Sequence, residues 1–371
     1  MNFNFRKILK KIIKNRLYYK FIEKRQNSLI KKNYSADEKN LILFLVPGIN
    51  GVSGGIVSIF SIARESQKLK DIHQSPVIMA SYPNQKILLK YTKFKNNFYI
   101  YRFDQIREYF TELENIIMHV PEYIVPQLLH YLNKDDIFWL KSLKKVHINI
   151  LNQNIEMMPS VETIHKLKEF STFLTCTTAH EKYSNKEEQQ KLGIPMHRLS
   201  VNINNGYYFK PYEQKENIMI VSPDSHPMKE EILNKIKKEF PKLKLKIIEH
   251  KTFEKYKELI AKAKWGITFG EGLDGYFAEP AYSGSVSFAV FNTKFFTEDF
   301  QHIETVYDSF EILLHEICSD IKRINNKEIY EKVNKQMTDL IYKYYKQDEY
   351  LDNIKNFYLG NYDFSEIKTT M

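Results

Sequence analysis

The chain has only two cysteines, Cys176 and Cys318, among its 371 residues, and neither sits in a Cys-x-x-Cys or Cys/His spacing. That excludes a disulfide framework and a cysteine-held zinc site, and it predicts a reducing, cytoplasmic compartment. Long apolar runs are missing too. The longest uninterrupted one is Leu41 to Val46, far short of the roughly 20 residues a membrane-spanning helix needs. The first residues are interrupted by lysines and lack both an apolar core and a small-residue cleavage site, so they do not read as a signal peptide. No Asp-x-Asp pair occurs, which leaves no obvious carboxylates for a metal-bound diphosphate, and no metal or cofactor is expected. No repeat of 20 to 50 residues is present.

Basic charge is scarce outside one place. Residues 1–32 hold eleven of the 55 Lys and Arg and one of the 45 acids, so the remaining chain balances at 44 of each. The net charge of +10 therefore belongs to a leader and not to a globular surface. A nucleic-acid groove would need its basic residues on the globule, so nucleic acid is not an expected partner. Within the leader, Phe5, Ile8, Leu9, Ile12, Ile13, Leu17 and Phe21 recur at helical spacing between the basic residues. Such a helix can lie on an anionic membrane surface, the inner face of the cell membrane included, or pack solvated on the body. Both readings stay open here.

Beyond residue 32 the pattern is α/β. Strands are expected at Leu41–Val46, Val77–Ala80, Phe98–Arg102, Ile116–Val120 and Val146–Ile150, with a helix from Ile56 to Leu69. The rhythm restarts after about residue 205 with strands at Ile218–Ser222, Leu243–Glu249, Trp265–Phe269 and Val286–Phe291. Helices are expected at Met228–Phe240, Phe253–Ala261 and Ala278–Tyr282, and a charged helical tail at Lys327–Tyr358. This divides the chain into a basic amphipathic leader (1–32), an N-terminal Rossmann-like domain (33–205), a smaller C-terminal one (206–325) and C-terminal helices (326–371).

Glycine is scarce at 12 residues, and nine of them fall in two short segments. Gly48, Gly51, Gly54 and Gly55 follow the first strand; Gly266, Gly270, Gly272, Gly275 and Gly284 surround the strand at Trp265–Phe269. Glycine concentrates where the backbone must take positive φ or approach a ligand closely. Both segments lead from a buried strand into a helix, whose N-terminal amides suit an anion. Neither matches a Walker A loop or a dinucleotide fingerprint. The second segment also carries Glu271 and Glu279, seven residues apart, around the same expected helix start. Loop amides of Gly272, Leu273 and Asp274 could then take a diphosphate, while the two carboxylates accept hydroxyls of a ribose and of a sugar. Donors aimed at charge that grows on a leaving phosphate stabilise the transition state most.

Gly270-Glu-Gly-Leu-Asp-Gly-Tyr-Phe-Ala-Glu-Pro280 resembles the Glu-x7-Glu motif of retaining glycosyltransferases with the GT-B fold, in particular glycosyltransferase family 4. Tyr282-Ser-Gly-Ser285 resembles the small-residue turn that ends the family's helix. The Pro47–Gly55 loop resembles its Gly-Gly loop, with Gly54 and Gly55 facing donor phosphate and acceptor. In architecture the resemblance covers about residues 40–360; in sequence it covers the two loops. It implies two Rossmann-like domains facing a cleft, and a nucleoside-diphosphate sugar as donor substrate. It implies a glycan or lipid-linked acceptor in surface polysaccharide synthesis and transfer with retention, without a metal. Glu279 would hold the ribose and Glu271 the transferred sugar. Lys229 would face the diphosphate where the family usually has an Arg and a Lys, and His119, closing a strand, would contact the donor sugar. The arginine is absent, and Pro280 requires the helix to start close to Glu279 or to kink. His226 and Asn152-Gln-Asn154 are weaker candidates for donor and sugar contacts. Two other readings stay open: a sugar-nucleotide epimerase or hydrolase of the same fold, and a membrane-docked partner subunit without catalysis.

Overall fold

Leu41 to Val46 is apolar at every position, the composition of a strand covered on both faces of a parallel sheet. In the computed structural model, which describes residues 2–203, 208–249 and 251–365 (2–16 as backbone alone), these six residues are fully buried. The chain divides into two units, Met1–Ala179 with Ser184–Leu199 and Asn353–Met371, and His180–Tyr183 with Ser200–Asp352. The boundary expected near 205 falls in 204–207, outside the described residues.

The first unit begins with α1 (Asn2–Asn33), followed by β1 (Asn40–Val46), α2 (Gly54–Lys68), α3 (Lys70–His73), β2 (Val77–Ser81), β3 (Ile100–Arg102), α4 (Phe103–Tyr109) and β4 (Asn115–Pro121). It continues with α5 (Val125–Tyr131), α6 (Lys134–Ser142), β5 (Lys145–Asn152), α7 (Val161–Lys166), β6 (Phe173–Thr178), α8 (Lys186–Leu192) and β7 (Met196–Arg198). All seven strands are parallel, in the order β3-β2-β1-β4-β5-β6-β7. The order reverses between β1 and β4, the switch point beyond whose carboxyl ends such sheets bind ligands. The second half of α1 packs on this unit through Ile22, Leu29, Ile30 and the buried Gln26, whose Nε2 donates to the Ile100 carbonyl at 2.6 Å. Leu17, Tyr18 and Phe21 on the same helix are exposed, Leu17 and Phe21 at about two thirds. The apolar positions Phe5, Ile8, Leu9, Ile12 and Ile13 lie outside the described side chains.

One register row crosses this sheet as Phe44, His119, Asn149 and Thr175. A polar row inside a sheet must satisfy itself, and it does: Asn149 bonds His119 Nδ1 and Thr177 Oγ1 at 3.0 Å each, and Thr175 Oγ1 donates to Asn149 Oδ1 at 2.9 Å. The C-terminal segment covers this face. Tyr358 bonds His119 Nε2 at 3.1 Å and Ser66 at 2.8 Å, and the Asp363 carboxylate sits 2.8 Å from His197 Nδ1.

The second unit holds β8 (Glu216–Val221), α9 (Lys229–Glu239), β9 (Lys244–Ile247), α10 (Phe253–Lys262), β10 (Ala263–Ile267), α11 (Gly275–Tyr282), β11 (Val286–Val290), β12 (Val306–Tyr307), α12 (Phe310–Ile324) and α13 (Lys327–Tyr344). Its five parallel strands run β12-β11-β10-β8-β9, reversing between β8 and β10. The helical tail expected at Lys327–Tyr358 is two helices. α13 packs on this unit through Tyr330, Val333, Met337 and Ile341, and α14 (Gln347–Leu359) passes into the first unit at residue 353.

Candidate functional site

In the second unit the loops leaving β8 and β10 lie side by side at the switch point. The β10 loop is shaped by Gly272, whose φ of +90° belongs to the left-handed region and whose missing Cβ would lie 2.3 Å from the Phe296 ring. Gly270 lies against the β8 loop: a Cβ there would sit 2.7 Å from Asp224 Oδ2, an oxygen that is buried and has no hydrogen-bond partner among the described residues.

α11 starts three residues earlier than its apolar run suggests, because Asp274 caps it. Asp274 Oδ1 accepts from the amides of Tyr276 at 2.7 Å and Phe277 at 3.0 Å, and Oδ2 accepts from Thr268 Oγ1 at 2.9 Å. Two helix-start amides, those of Tyr276 and Phe277, are therefore taken by a carboxylate, and of the loop amides expected to serve a phosphate that of Asp274 donates to the Gly272 carbonyl at 3.0 Å. Burial raises the Asp274 carboxyl to about 7; the Thr268 hydrogen bond opposes the rise, and the charges of Asp224 and Glu271 add to it. Leu273 is buried beside it, while Glu271 is half-buried. Pro280 lies inside α11 and neither starts nor ends it, so the helix tolerates one carbonyl without an intrahelical donor.

Glu279 projects from α11 to Lys257 on α10, Oε1 to Nζ 3.0 Å, with side chains 17% and 5% exposed. Its Oε2 is buried and has no hydrogen-bond partner among the described residues. Tyr256 stands beside it; burial pushes this phenol well up, and the Glu279 charge adds to the shift. The two glutamates of the spaced pair thus flank one helix start at the carboxyl end of β10: Glu279 is ion-paired to Lys257, and the charge of Glu271 acts on Asp274.

Lys229, the first residue of α9, is buried. Nζ donates to the carbonyls of Ser222 at 2.8 Å and Asp224 at 2.7 Å and lies 5.5 Å from the centre of the Phe269 ring. It ties the β8 loop to its helix with two of its three protons. His226 stacks on Phe310 with 3.6 Å between ring centres and accepts the Met228 amide at Nδ1.

His119 differs from its expected setting. It lies within β4, two residues short of its end, is 1% exposed and stacks on Phe44 at 4.2 Å between centroids. Burial holds its imidazole well below the ordinary range, with His147 and His73 adding repulsion. It is a member of the polar row under the C-terminal segment and is not presented to solvent. At the end of β1, Ser53 caps α2 through the Ile56 amide at 3.2 Å. Gly54 is exposed with open space on its Cβ side, and a Cβ on Gly55 would lie 2.9 Å from Gln153 Oε1.

Residue-type reasoning passed over Lys257, Asp224 and Glu122. Lys257 had a signal: it occupies the apolar stripe Phe253, Tyr256, Lys257, Ile260 of α10, where a lysine is either buried or snorkelling. Glu122 had one as well, being the residue that follows a buried strand at Pro121. Asp224 had none. Among the described residues no group of three or more His, Cys, Asp or Glu side chains is placed to hold a metal ion, and no helix is long and apolar enough to cross a membrane.

No protein-family model and no curated protein sequence matches the chain. Solved structures do match it. A sucrose-phosphate synthase from Thermosynechococcus elongatus aligns over 87% of this chain and 99% of its own, with a TM-score of 0.54 at 8% identity. HepE of Anabaena, solved in complex with UDP-glucose, aligns over the same shares with a TM-score of 0.52 at 8% identity. At such identity the likeness is one of fold, and the fold is the GT-B kind with two Rossmann-like domains.

Proposed function

We propose that this chain is a glycosyltransferase that moves a hexose-type sugar from a nucleoside diphosphate to a glycan or lipid-linked acceptor in surface polysaccharide synthesis. The observation that carries the reading is the pair Glu271 and Glu279 flanking the start of α11, at the switch point of the second unit's sheet. A ribose is a vicinal diol, and Glu279, half satisfied by Lys257, offers it the acceptor oxygen it needs. Glu271 is the counterpart for hydroxyls of the transferred sugar. Lys257 offsets the negative charge that would otherwise repel a diphosphate, and the amides of the Gly272–Leu273 turn are the remaining phosphate donors. A sugar-nucleotide ligand in one structure of the same fold supports this donor class. Retention of configuration and independence of metal rest on the resemblance of the Glu-x7-Glu segment, and Lys229 enters as the residue that holds the β8 loop against the donor. His119 enters only indirectly, through the packing of β4.

The exposed Leu17, Tyr18 and Phe21 on a helix rich in lysine and arginine support work at the anionic inner face of the cell membrane. Thermal unfolding with a panel of nucleoside diphosphates and their sugars tests the reading. A ligand at 100 times its Kd stabilises by about 2.7 kcal/mol, and one nucleotide should do so. Glu279→Ala should abolish that shift. If no nucleoside diphosphate shifts the wild-type transition, the proposal is wrong. Full-rate donor breakdown without acceptor would instead identify a hydrolase.

A further inference from the structure

Residues 82–99 join β2 to β3, 18 in all, without a helix or strand of their own. A connection that long in a compact domain is either unstructured or functional, and this one is pinned down. Tyr91, Phe94 and Phe98 are buried and meet the Phe60 ring of α2 edge-on, with 5.1, 4.9 and 5.8 Å between centroids. Thr92 shares two hydrogen bonds with the Asn50 side chain, at 2.7 and 3.0 Å, and the Tyr91 hydroxyl donates to the Pro47 carbonyl. A Cβ on Gly48 would lie 2.6 Å from the Lys86 carbonyl oxygen, so a glycine there lets the two loops touch. The connection is thereby clamped to the glycine-rich loop after β1, at the carboxyl edge of the sheet where ligands bind.

Its charge is one-sided. Beyond residue 32 the chain balances as a whole, yet no acid occurs between Asp71 and Asp104, and Lys86, Lys90, Lys93 and Lys95 all fall in this loop. With the aromatic rings turned inward, the lysines reach solvent. Lys86 and Lys95 are exposed, Lys93 is half-buried, and so is Lys90, whose Nζ lies 5.8 Å from the centre of the Tyr99 ring. Lys86, Lys90 and Lys93 have no acid within ion-pair distance among the described residues. Elsewhere in this unit Lys39, Lys68 and Lys144 each meet a glutamate, at 3.0, 2.6 and 2.7 Å. A fixed group of unanswered cations raises the local concentration of anions and favours their docking.

We propose that loop 82–99 is a docking surface for an anionic glycan, its lysines pairing with carboxylate or phosphate groups along the sugar chain. A loop that enters a membrane surface or holds single-stranded nucleic acid presents its aromatic rings, to the interface or to the bases. Here the rings of Tyr91, Phe94 and Phe98 are engaged by Phe60, and the adjoining glycine-rich loop exposes one apolar side chain, Ile49. A charged glycan also needs partners for its hydroxyls, and the start of the loop offers them. Tyr82, Asn84 and Gln85 line a cavity of about 330 Å³, within the usual range of ligand pockets. The arginines of that cavity are answered, Arg107 by Asp136 at 2.6 Å and Arg102 by Asp104, so it is polar without net charge. The surface stands on charge and packing; that its guest is the acceptor rests on the glycosyltransferase reading.

The test is fluorescence anisotropy on the full chain with labelled hexagalacturonate, phosphorylated maltohexaose and neutral maltohexaose. At least one charged hexamer should bind, more tightly than the neutral one and more weakly as salt rises from about 50 to about 300 mM. Which of the two binds tells carboxylate from phosphate. Replacing Lys86, Lys90 and Lys93 together by glutamine should weaken that binding about tenfold, while the same three changed to arginine should keep it. Lys20→Gln, Lys24→Gln and Arg25→Gln on α1 remove equal charge from another exposed place and should change it less than about twofold. Equal losses in the two glutamine triples would mean that binding follows net charge, and the surface is overturned. It is overturned as well if neutral and charged hexamers bind alike, or if UDP displaces the hexamer, which would give the lysines to a donor diphosphate. A loop triple that loses phosphatidylglycerol vesicles but keeps the hexamers would assign the loop to the membrane instead. Hexamer binding that depends on the loop, in a chain that no nucleoside diphosphate stabilises, would keep the surface and sink only the transferase reading. Nucleotide stabilisation without any hexamer binding would sink the surface alone.

Discussion

A carboxylate buried at 17% exposure keeps its charge only if something answers it, and for Glu279 that is Lys257. Removing one member of a buried pair leaves the other uncompensated, usually at a cost of about 3–5 kcal/mol. Lys257→Ala should therefore lower stability by roughly 3 kcal/mol in urea unfolding. Adding Glu279→Gln should restore most of that loss, because the orphaned charge is gone. The same lysine bears on ligand binding. With Glu279 unbalanced, a diphosphate would meet one more net negative charge, so Lys257→Ala should also weaken nucleotide binding, about tenfold or more. A loss under about 0.5 kcal/mol would mean that the pair is solvated and that Glu279 is free of it.

At the scale of the element, α11 is set by Asp274, and its cap is under electrostatic tension. The carboxylate satisfies two helix-start amides, but burial, with the charges of Asp224 and Glu271 adding to it, raises it to about 7 against an ordinary value of 3.8. An acid raised in the folded state loses stability as pH climbs: the unfolded chain ionises first, so the contribution is complete below 3.8 and declines until about 7. Asp274→Asn keeps an oxygen for the amides and can still bond Thr268, while the titration disappears. The variant should gain on wild type between pH 4 and 7, by up to roughly 1.4 kcal/mol per pH unit, and the difference should level off above 7. Parallel stability curves for the two proteins would show the cap to be ionised throughout. The cap was not read in advance: the helix is expected from Ala278, and Asp274 as part of the loop, although an Asp ahead of Gly-Tyr-Phe is a capping residue type. The strands β1, β2, β4, β8 and β11 were legible, each mainly apolar, with only His119 interrupting β4 and Ser287 interrupting β11. β6 and β7 escaped reading because they hold Thr175, Thr177, Thr178 and His197; the threonines bond across the sheet, and His197 is satisfied by the Asn353 carbonyl and Asp363 of the C-terminal segment. The glycine loops and the spaced glutamates could be found from sequence because they are local. Asp224 could not be, since it matters only through the β10 loop that the sheet brings beside it, and the position of Lys257 in the apolar stripe of α10 does not name its partner Glu279.

For the molecule as a whole the governing asymmetry is charge. Ten net positive charges sit on residues 1–32, and the rest of the chain sums to zero. α1 is one continuous helix whose second half is locked into the first unit by Gln26, Leu29 and Ile30 and by the Glu23–Arg102 ion pair at 2.9 Å. The basic residues Lys20, Lys24 and Arg25 therefore sit on a stretch of helix anchored to that unit. Each basic residue near an anionic bilayer adds about 1 kcal/mol, attenuated beyond a Debye length of about 8 Å at physiological salt. The full chain should sediment with vesicles containing 30% phosphatidylglycerol at low salt and be released by about 0.5 M salt. Vesicles of phosphatidylcholine alone should not retain it. Replacing Leu17 and Phe21 by serine separates the two contributions, since both side chains are exposed and their loss should leave the fold intact. If charge alone docks the helix, this variant binds like wild type and is equally salt-sensitive. If the apolar face inserts, it loses affinity while its salt dependence stays the same. A full chain that ignores anionic vesicles at low salt would mean that the basic residues of α1 serve another partner.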